Sequence, residues 1–107
     1  MSNSIIKHLK MDNNGRICIN DLVCKIAKVR KNAMVHIILV TDNEMKEKGF
    51  MIKICNKEDV KADDVILGER KMDEKGRIMV GSLLEQEILE MSFCCAYKGE
   101  LYICRDD

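Results

Sequence analysis

The chain has 107 residues, of which 47% are hydrophobic and 34% are charged, a length that suits one small domain or two very small intertwined ones. The high charge and the shortness of every apolar run argue against a membrane-spanning protein, and 4% aromatic residues offer few platforms for stacking single-stranded bases. The net charge is zero, but residues 1–60 hold eleven Lys and Arg against seven Asp and Glu, and residues 61–107 hold seven against eleven. The first half is therefore basic and the second half acidic.

Residues 5–19 predict a strand, a tight turn and a second strand. Asn20 or Asp21 is a suitable N-cap for a helix. The apolar residues that follow are spaced one, three and four apart, which predicts an amphipathic helix that ends near Asn32. The outward, basic positions of this helix are Lys25, Lys28, Arg30 and Lys31.

Two more strands complete the first half. The apolar, β-branched run at residues 34–40 predicts a buried strand, and the alternating residues 50–55 predict the strand that returns beside it. The polar residues 41–49 between them predict a hairpin loop. Residues 57–63 are charged and lack an apolar period, so we interpret them as a linker between two repeats.

The second half repeats this order of elements. Residues 65–72 predict a strand that Gly68 interrupts as a bulge, and residues 77–80 predict a second strand. Gly81 and Ser82 open a predicted short helix with an acidic outward face, and residues 91–104 predict a final hairpin. Each half is thus predicted to be β-β-α-β-β. The acidic helix residues are Glu85, Glu87 and Glu90.

A repeated stretch relates the two halves. Residues 10–19 and 71–80 share Lys, Met, Asp, Gly, Arg and Ile in register, at an offset of 61 residues, which indicates a tandem duplication. In both copies Asp can bond the backbone at the start of a turn, and Gly can take the positive φ that such turns need. The turn alone explains Asp and Gly, but it does not explain why the same Lys and Arg flank it twice.

The second copy, Arg-Lys-Met-Asp-Glu-Lys-Gly-Arg at residues 70–77 followed by alternating apolar residues, resembles the signature of AbrB-like (SpoVT–AbrB) swapped-hairpin domains. The first copy departs from it, since Leu9 stands at the leading Arg position, and both copies lack the family's usual Pro after the second strand. The resemblance implies a mostly β, α+β fold. In it, two tandem β-β-α-β-β repeats, residues 1–56 and 64–107, form one intramolecular swapped-hairpin barrel, similar to the tandem arrangement of MraZ-like proteins. A related double-psi barrel with different strand threading stays open.

The resemblance also implies a DNA-binding transcriptional regulator that contacts duplex DNA through a basic face of the barrel. The cations that flank the turns and those on the first helix are the candidate contacts. In the second repeat, the helix positions that are often Arg in the family hold Glu85 and Gln86, so the first repeat is expected to dominate. The candidate DNA-binding residues are Lys10, Arg16, Lys25, Lys28, Arg30, Lys31, Arg70, Lys71 and Arg77.

Two alternatives accompany this hypothesis. Arg16 and Arg77 each stand four residues after the Asp of their turn and could lock the turn by pairing with it, which does not exclude DNA contact. The chain could instead be a protein-interaction module, either antitoxin-like or a duplicate that has lost DNA binding, whose acidic second repeat would suit a basic protein partner. A homodimer is compatible with either function. No catalytic constellation is recognisable, and we do not expect an enzyme.

The six cysteines raise the question of a disulfide framework or a metal site. Most of them lie in apolar runs, where free Cys behaves as a small hydrophobic residue. The sequence has no Cys-x-x-Cys pair, and neither histidine stands at a zinc-site spacing, so we expect reduced thiols, no metal and no cofactor. Residues 1–7 are too few and too polar for a signal peptide, and we therefore expect a cytoplasmic protein. The cysteines are Cys18, Cys24, Cys55, Cys94, Cys95 and Cys104.

Overall fold

Strands make up most of the secondary structure in the computed structural model, which describes residues 6–8, 11–83, 91–97 and 100–105. Two short α-helices and one turn of 3-10 helix, Lys57–Asp59, accompany the strands in these residues, which confirms the predicted α+β class. None of the helices described is long and apolar enough to cross a membrane. The elements are β1 (Ile6–His8), β2 (Arg16–Cys18), α1 (Asp21–Ala27), β3 (Met34–Leu39), α2 (Asn43–Glu47), β4 (Phe50–Asn56), β5 (Val65–Lys71), β6 (Arg77–Met79), β7 (Met91–Tyr97) and β8 (Glu100–Arg105).

Helix α1 begins where the sequence predicts and ends earlier. Asn20 is its N-cap, and the Asn20 Oδ1 accepts a hydrogen bond from the Val23 N–H at 2.9 Å. The predicted end near Asn32 is wrong, because the helix stops at Ala27 and Lys28 adopts a left-handed conformation with φ 59°. The basic residues that follow therefore lie in a loop rather than on the helix face.

The predicted loop at residues 41–49 contains a helix that the sequence analysis missed. Helix α2 is capped by Asp42, whose Oδ1 accepts a hydrogen bond from the Glu44 N–H at 2.8 Å. Only Met45 packs inward, against Val40 and Phe50. A five-residue helix with one inward side chain has no measurable apolar period, and this explains why the prediction was wrong.

The two predicted Asp–Gly turns form, but the strands that flank each turn do not pair with each other. Each turn forms, with the Asp12 N–H donating to the Arg16 carbonyl at 2.9 Å and the Asp73 N–H donating to the Arg77 carbonyl at 3.1 Å. The flanking strands then separate, because each pairs with a strand of the other half. Strand β1 pairs with β7, β5 pairs with β3, and β2 pairs with β6. The two later hairpins, β3–β4 and β7–β8, pair as predicted.

Six strands form one sheet in the order β1-β7-β8-β4-β3-β5. The first strand of each half lies beside the third strand of the other half, with Lys7 opposite Cys94 in one case and Gly68 opposite Ile37 in the other. Lys7 and Gly68 are 61 residues apart, so the same repeat position makes both pairings. The β3–β5 register shifts by one residue next to Gly68, which confirms the predicted bulge.

The remaining two strands, β2 and β6, form a separate antiparallel pair that we call the ribbon. Ile17 lies opposite Ile78, its equivalent in the second repeat, so the register is unchanged when the halves are exchanged. Backbone bonds extend the ribbon on both sides. The Ile19 N–H donates to the Gly76 carbonyl at 2.8 Å, and the Val80 N–H donates to the Gly15 carbonyl at 3.0 Å.

The main hydrophobic core lies where the ribbon, α1 and the six-stranded sheet meet. Each element contributes every second residue or one helix face, as the alternation of strands and the period of helices require. Burying about ten aliphatic side chains is the principal stabilising contribution that this packing makes. The fully buried residues include Ile17, Ile19, Val23, Val35, Ile37, Ile54, Met72, Ile78, Leu101 and Ile103.

Gly76 is expected to be indispensable for this packing. It has φ +81°, and a Cβ there would stand 2.3 Å from the Ile19 carbonyl oxygen, a backbone atom that cannot rotate away. Gly76→Ala should therefore lower the free energy of unfolding by more than about 3 kcal/mol, since strain and overlap add. Gly49 is the matched control, because it has φ +89° with nothing within 4 Å, and Gly49→Ala should cost only about 1–2 kcal/mol of left-handed strain. Equal losses in urea denaturation would contradict the argument.

Candidate nucleic-acid interface

Arg16 and Arg77, the arginines that recur in the two copies of the repeated stretch, lie on the solvent face of the ribbon. Ile17 and Ile78 point into the core. Alternation therefore turns Arg16, Arg77 and the residues directly opposite them in the ribbon outward. Arg16 pairs with Met79 and Arg77 pairs with Cys18, which sets the two arginines on a diagonal. Diagonal neighbours on one face of an antiparallel pair lie roughly 7–8 Å apart. One small surface therefore presents two guanidinium groups.

Each guanidinium is held by the aspartate of its own turn. Arg16 Nε lies 3.1 Å from Asp12 Oδ2, while Asp12 Oδ1 accepts backbone N–H bonds from Asn14 at 2.8 Å and from Arg16 at 2.9 Å. The turn-locking interpretation is thus confirmed in the first copy. A single carboxylate closes the turn and orients the arginine.

The second copy repeats this arrangement. Arg77 Nε lies 2.7 Å from Asp73 Oδ2, and Asp73 Oδ1 accepts the N–H groups of Lys75 at 2.9 Å and Arg77 at 2.8 Å. Both arginines bond through Nε, and their Nη groups make no hydrogen bond with any residue that the structure describes. Turn locking therefore leaves the forked end of each arginine available to an anion.

The local hydrogen bonds fix the charge of both aspartates. The backbone N–H of Arg16 holds the pKa of Asp12 below its ordinary value of 3.8, and the N–H of Arg77 acts in the same way on Asp73. Both carboxylates are consequently ionised at neutral pH and offset part of the arginine charge. Exposed ion pairs of this kind contribute little stability, so an incoming phosphate can compete for the guanidinium at small cost.

Lys31 joins the ribbon from the first half. Its Nζ donates a hydrogen bond to Asp21, which raises the pKa of Lys31 above 10.5. Its Cε would stand 3.5 Å from a Cβ on Gly76, so its stem lies against the second turn. Backbone bonds between residues 32–33 and Met72, 2.8 and 3.0 Å long, hold this loop in place.

Lys75 is a ribbon cation that the sequence analysis did not select. It is exposed in the second turn, and its carbonyl accepts a hydrogen bond from Cys18 Sγ at 3.4 Å. The equivalent position in the first copy is Asn14, so the charge does not recur between the copies. The repeat comparison could not identify it, although its place in an Asp-Glu-Lys-Gly turn next to Arg77 was a usable signal.

The other predicted contacts lie elsewhere. Asn56 holds the loop of Lys28 and Arg30 at the end of β4, accepting from the Arg30 N–H at 3.1 Å and donating to the Lys28 carbonyl at 2.6 Å. Arg30 also pairs with Glu58. Arg30 is thus drawn towards the 3-10 helix Lys57–Asp59 while Lys28 is exposed, and the single basic helix face that the sequence suggested does not form.

Strand β5 and helix α1 carry the last three described candidates. Arg70 is half-buried and bonds the Ser82 hydroxyl at 3.2 Å through Nη2, while Lys71 is exposed at the end of β5. Lys25 is exposed on α1, and neither lysine forms an ion pair within the described part of the chain. Lys10, like residues 84–90 with the predicted acidic helix, falls outside the described residues.

The pKa directions of the two turn aspartates make stability at low pH a test of the site. Because both folded-state pKa values lie below 3.8, the stabilising contribution is present above pH 3.8 and is lost as the pH falls through the lowered values. Asp12→Asn with Asp73→Asn keeps the Oδ1 acceptors and removes the charge. The double variant should be less stable than the parent at pH 7 and lose less stability below pH 3.8. The measurement is the free energy of unfolding from urea denaturation at several pH values, with Asp63→Asn as the control variant. If this free energy changed with pH in the same way in the parent and the double variant, the assigned role of the two turn aspartates would be contradicted.

Comparisons of the chain with protein-family models, with curated proteins and with solved structures found no match. The similarity to AbrB-like domains therefore rests on the two repeated stretches in the sequence.

Proposed function

We propose that this chain is a DNA-binding transcriptional regulator of the AbrB-like type, built as one intramolecular swapped-hairpin barrel. The exchange of strands between the halves supports the architecture, since the first strand of each half pairs with the third strand of the other. The symmetric pairing of β2 with β6 also supports it, because this pairing joins equivalent strands of the two repeats.

The observation that carries the proposal is the pair of arginines on the ribbon. Arg16 and Arg77 occupy equivalent repeat positions on one solvent face, and each is oriented through Nε with its Nη groups unbonded among the described residues. Planar guanidinium groups presented in this way suit phosphate oxygens, which they bind as paired N–H donors. Phosphate contacts position a protein on duplex DNA without selecting a sequence.

The neighbouring lysines extend this surface. Lys31 lies against the second turn, and Lys75 is exposed within it. Three aspartates, in the two turns and at the start of α1, offset these cations, so the affinity should be modest and strongly dependent on salt. The proposed interface is centred on the ribbon and leaves Lys28, Arg30 and Arg70 outside it.

Binding to a mixed-sequence DNA duplex tests the proposal by fluorescence anisotropy at two salt concentrations. Arg16→Gln with Arg77→Gln should weaken binding and lower the slope of log K against log salt by about two units, since each phosphate contact contributes about 0.9. Lys46→Gln, an exposed cation on α2, removes a charge away from the ribbon and should change neither quantity.

A thermal melt of the double variant must accompany this measurement, because both arginines also stabilise their turns. If the folded double variant binds with the parent's affinity and slope, the ribbon is not the interface. If the parent does not bind at low salt, the chain is not a DNA-binding protein.

A further inference from the structure

A second concave surface lies on the six-stranded sheet, away from the main core. It is a cavity of about 220 Å³ whose floor is formed by Ile38 of β3, Lys53 of β4 and Tyr102 of β8. Their direct neighbours Ile37, Ile54 and Leu101 point into the main core, so alternation places the cavity on the opposite face. Helix α2 and residues 61–64 form its walls.

The polar groups of this cavity are fixed by one another. Lys53 Nζ lies 3.7 Å from Asp64 Oδ1 and 3.7 Å from Glu100 Oε2, and the Tyr102 hydroxyl donates to Glu100 Oε2 at 2.7 Å. The Lys53 and Asp64 side chains are only 12% and 13% exposed. Burial, with the hydrogen bond to Glu100, raises the pKa of Tyr102 above its ordinary value, so the hydroxyl stays a neutral donor. The floor is therefore pre-organised.

The cavity favours a cation. Four carboxylates line it against two ammonium groups, which leaves a net charge of −2. Lys53 is already shared by two of the carboxylates. The Asp63 carboxylate makes no ion pair or hydrogen bond with the residues that the structure describes, and it lines the cavity as an exposed, unused acceptor. A positively charged group would restore the balance.

An exposed apolar side chain and a strand edge lie beside the cavity. Ile66 is 49% exposed, and the β3–β5 register sets it beside Ile38, so alternation places its side chain on the cavity face of the sheet. Strand β5 is the last strand of the sheet, so its outer edge has no strand partner among the described residues. An exposed edge with apolar side chains is suited to pairing with an extended segment.

We propose that the cavity and the edge of β5 together bind an extended segment of another protein, with one arginine in the cavity and aliphatic residues against Ile66. A space of about 220 Å³ is smaller than most small-molecule sites, which begin near 300 Å³, and it suits one long side chain. Arginine matches because its fork bonds carboxylates in pairs and its stem packs on apolar surface.

A second copy of the chain does not complement this edge over the full length of β5. Antiparallel pairing of two β5 strands centred on Gly68 would set Val65 against Lys71 and Ile66 against Arg70, which places apolar side chains opposite charged ones. The site shares no residue with the ribbon, so this inference does not depend on DNA binding.

A pair of peptides tests the inference on the full chain by isothermal titration calorimetry. The probe is acetyl-Ser-Val-Ser-Arg-Ser-Val-Ser-amide, and the control peptide replaces Arg by citrulline, which has the same shape without the charge. The arginine peptide should bind saturably and at least about fivefold more tightly than the citrulline peptide, because only its charge complements the cavity. This preference should shrink as salt is added.

Three variants locate the contact. Asp63→Asn should weaken binding of the arginine peptide at least about threefold and leave binding of the citrulline peptide unchanged, because it removes only an unused charge. Ile66→Ser should weaken both peptides alike. Glu47→Gln, an exposed charge on α2 outside the cavity, should affect neither.

The inference is overturned if both peptides bind equally or if the arginine peptide does not bind at millimolar concentration. It is also overturned if sedimentation shows a dimer that Ile66→Ser dissolves, since the edge would then belong to a second copy. Each variant is checked for the parent's circular dichroism spectrum, so a folding defect is separated from a lost contact.

Discussion

The crossing of the two repeats at the ribbon is the contact on which the rest of the molecule depends. Ile17 and Ile78 meet there at 0% exposure, and the Gly76 carbonyl accepts the Ile19 N–H at 2.8 Å. The backbones come so close that a Cβ on Gly76 would overlap the Ile19 carbonyl oxygen at 2.3 Å. Strand β2 has no partner in its own half among the described strands, so neither repeat completes its hydrogen bonds alone. Glycine at the turn is thus a requirement of association between the halves.

The same turns couple stability to the proposed DNA contact. The Asp12 carboxylate accepts two backbone N–H groups and also bonds Arg16 Nε, so the group that closes the turn aims the guanidinium outward. A phosphate that displaces this carboxylate from Nε leaves its Oδ1 bonds to the backbone intact. The turn can therefore keep its shape while the arginine changes partner, which gives the site a fixed geometry at little energetic cost.

Local features were predictable from the apolar pattern, whereas an exchange of strands between the halves was expected only through the resemblance. The Asn20 cap, the apolar strands and the repeat offset of 61 residues all depend on neighbouring residues. The first strand of each half pairs with a strand of the other half, and the spacing of apolar residues within one strand carries no information about such a distant partner. The grouping of basic residues failed for a related reason, because Lys28 turns left-handed and Asn56 then draws Arg30 towards Glu58. The cavity was missed because three strands and residues 61–64 must come together to form it.

Differences between the repeats bear on where each proposed function can be located. The ribbon joins equivalent residues, and a surface with this internal symmetry suits duplex DNA, whose two strands are themselves related by twofold axes. The cavity has no such symmetry. Helix α2 occupies the long connection between β3 and β4, whereas β7 ends at Tyr97 and β8 begins at Glu100, which leaves no room for a counterpart. A cavity walled by α2 can therefore exist only once per chain. A site of that kind suits a single asymmetric partner, and we expect the symmetric and asymmetric faces to recognise different classes of molecule.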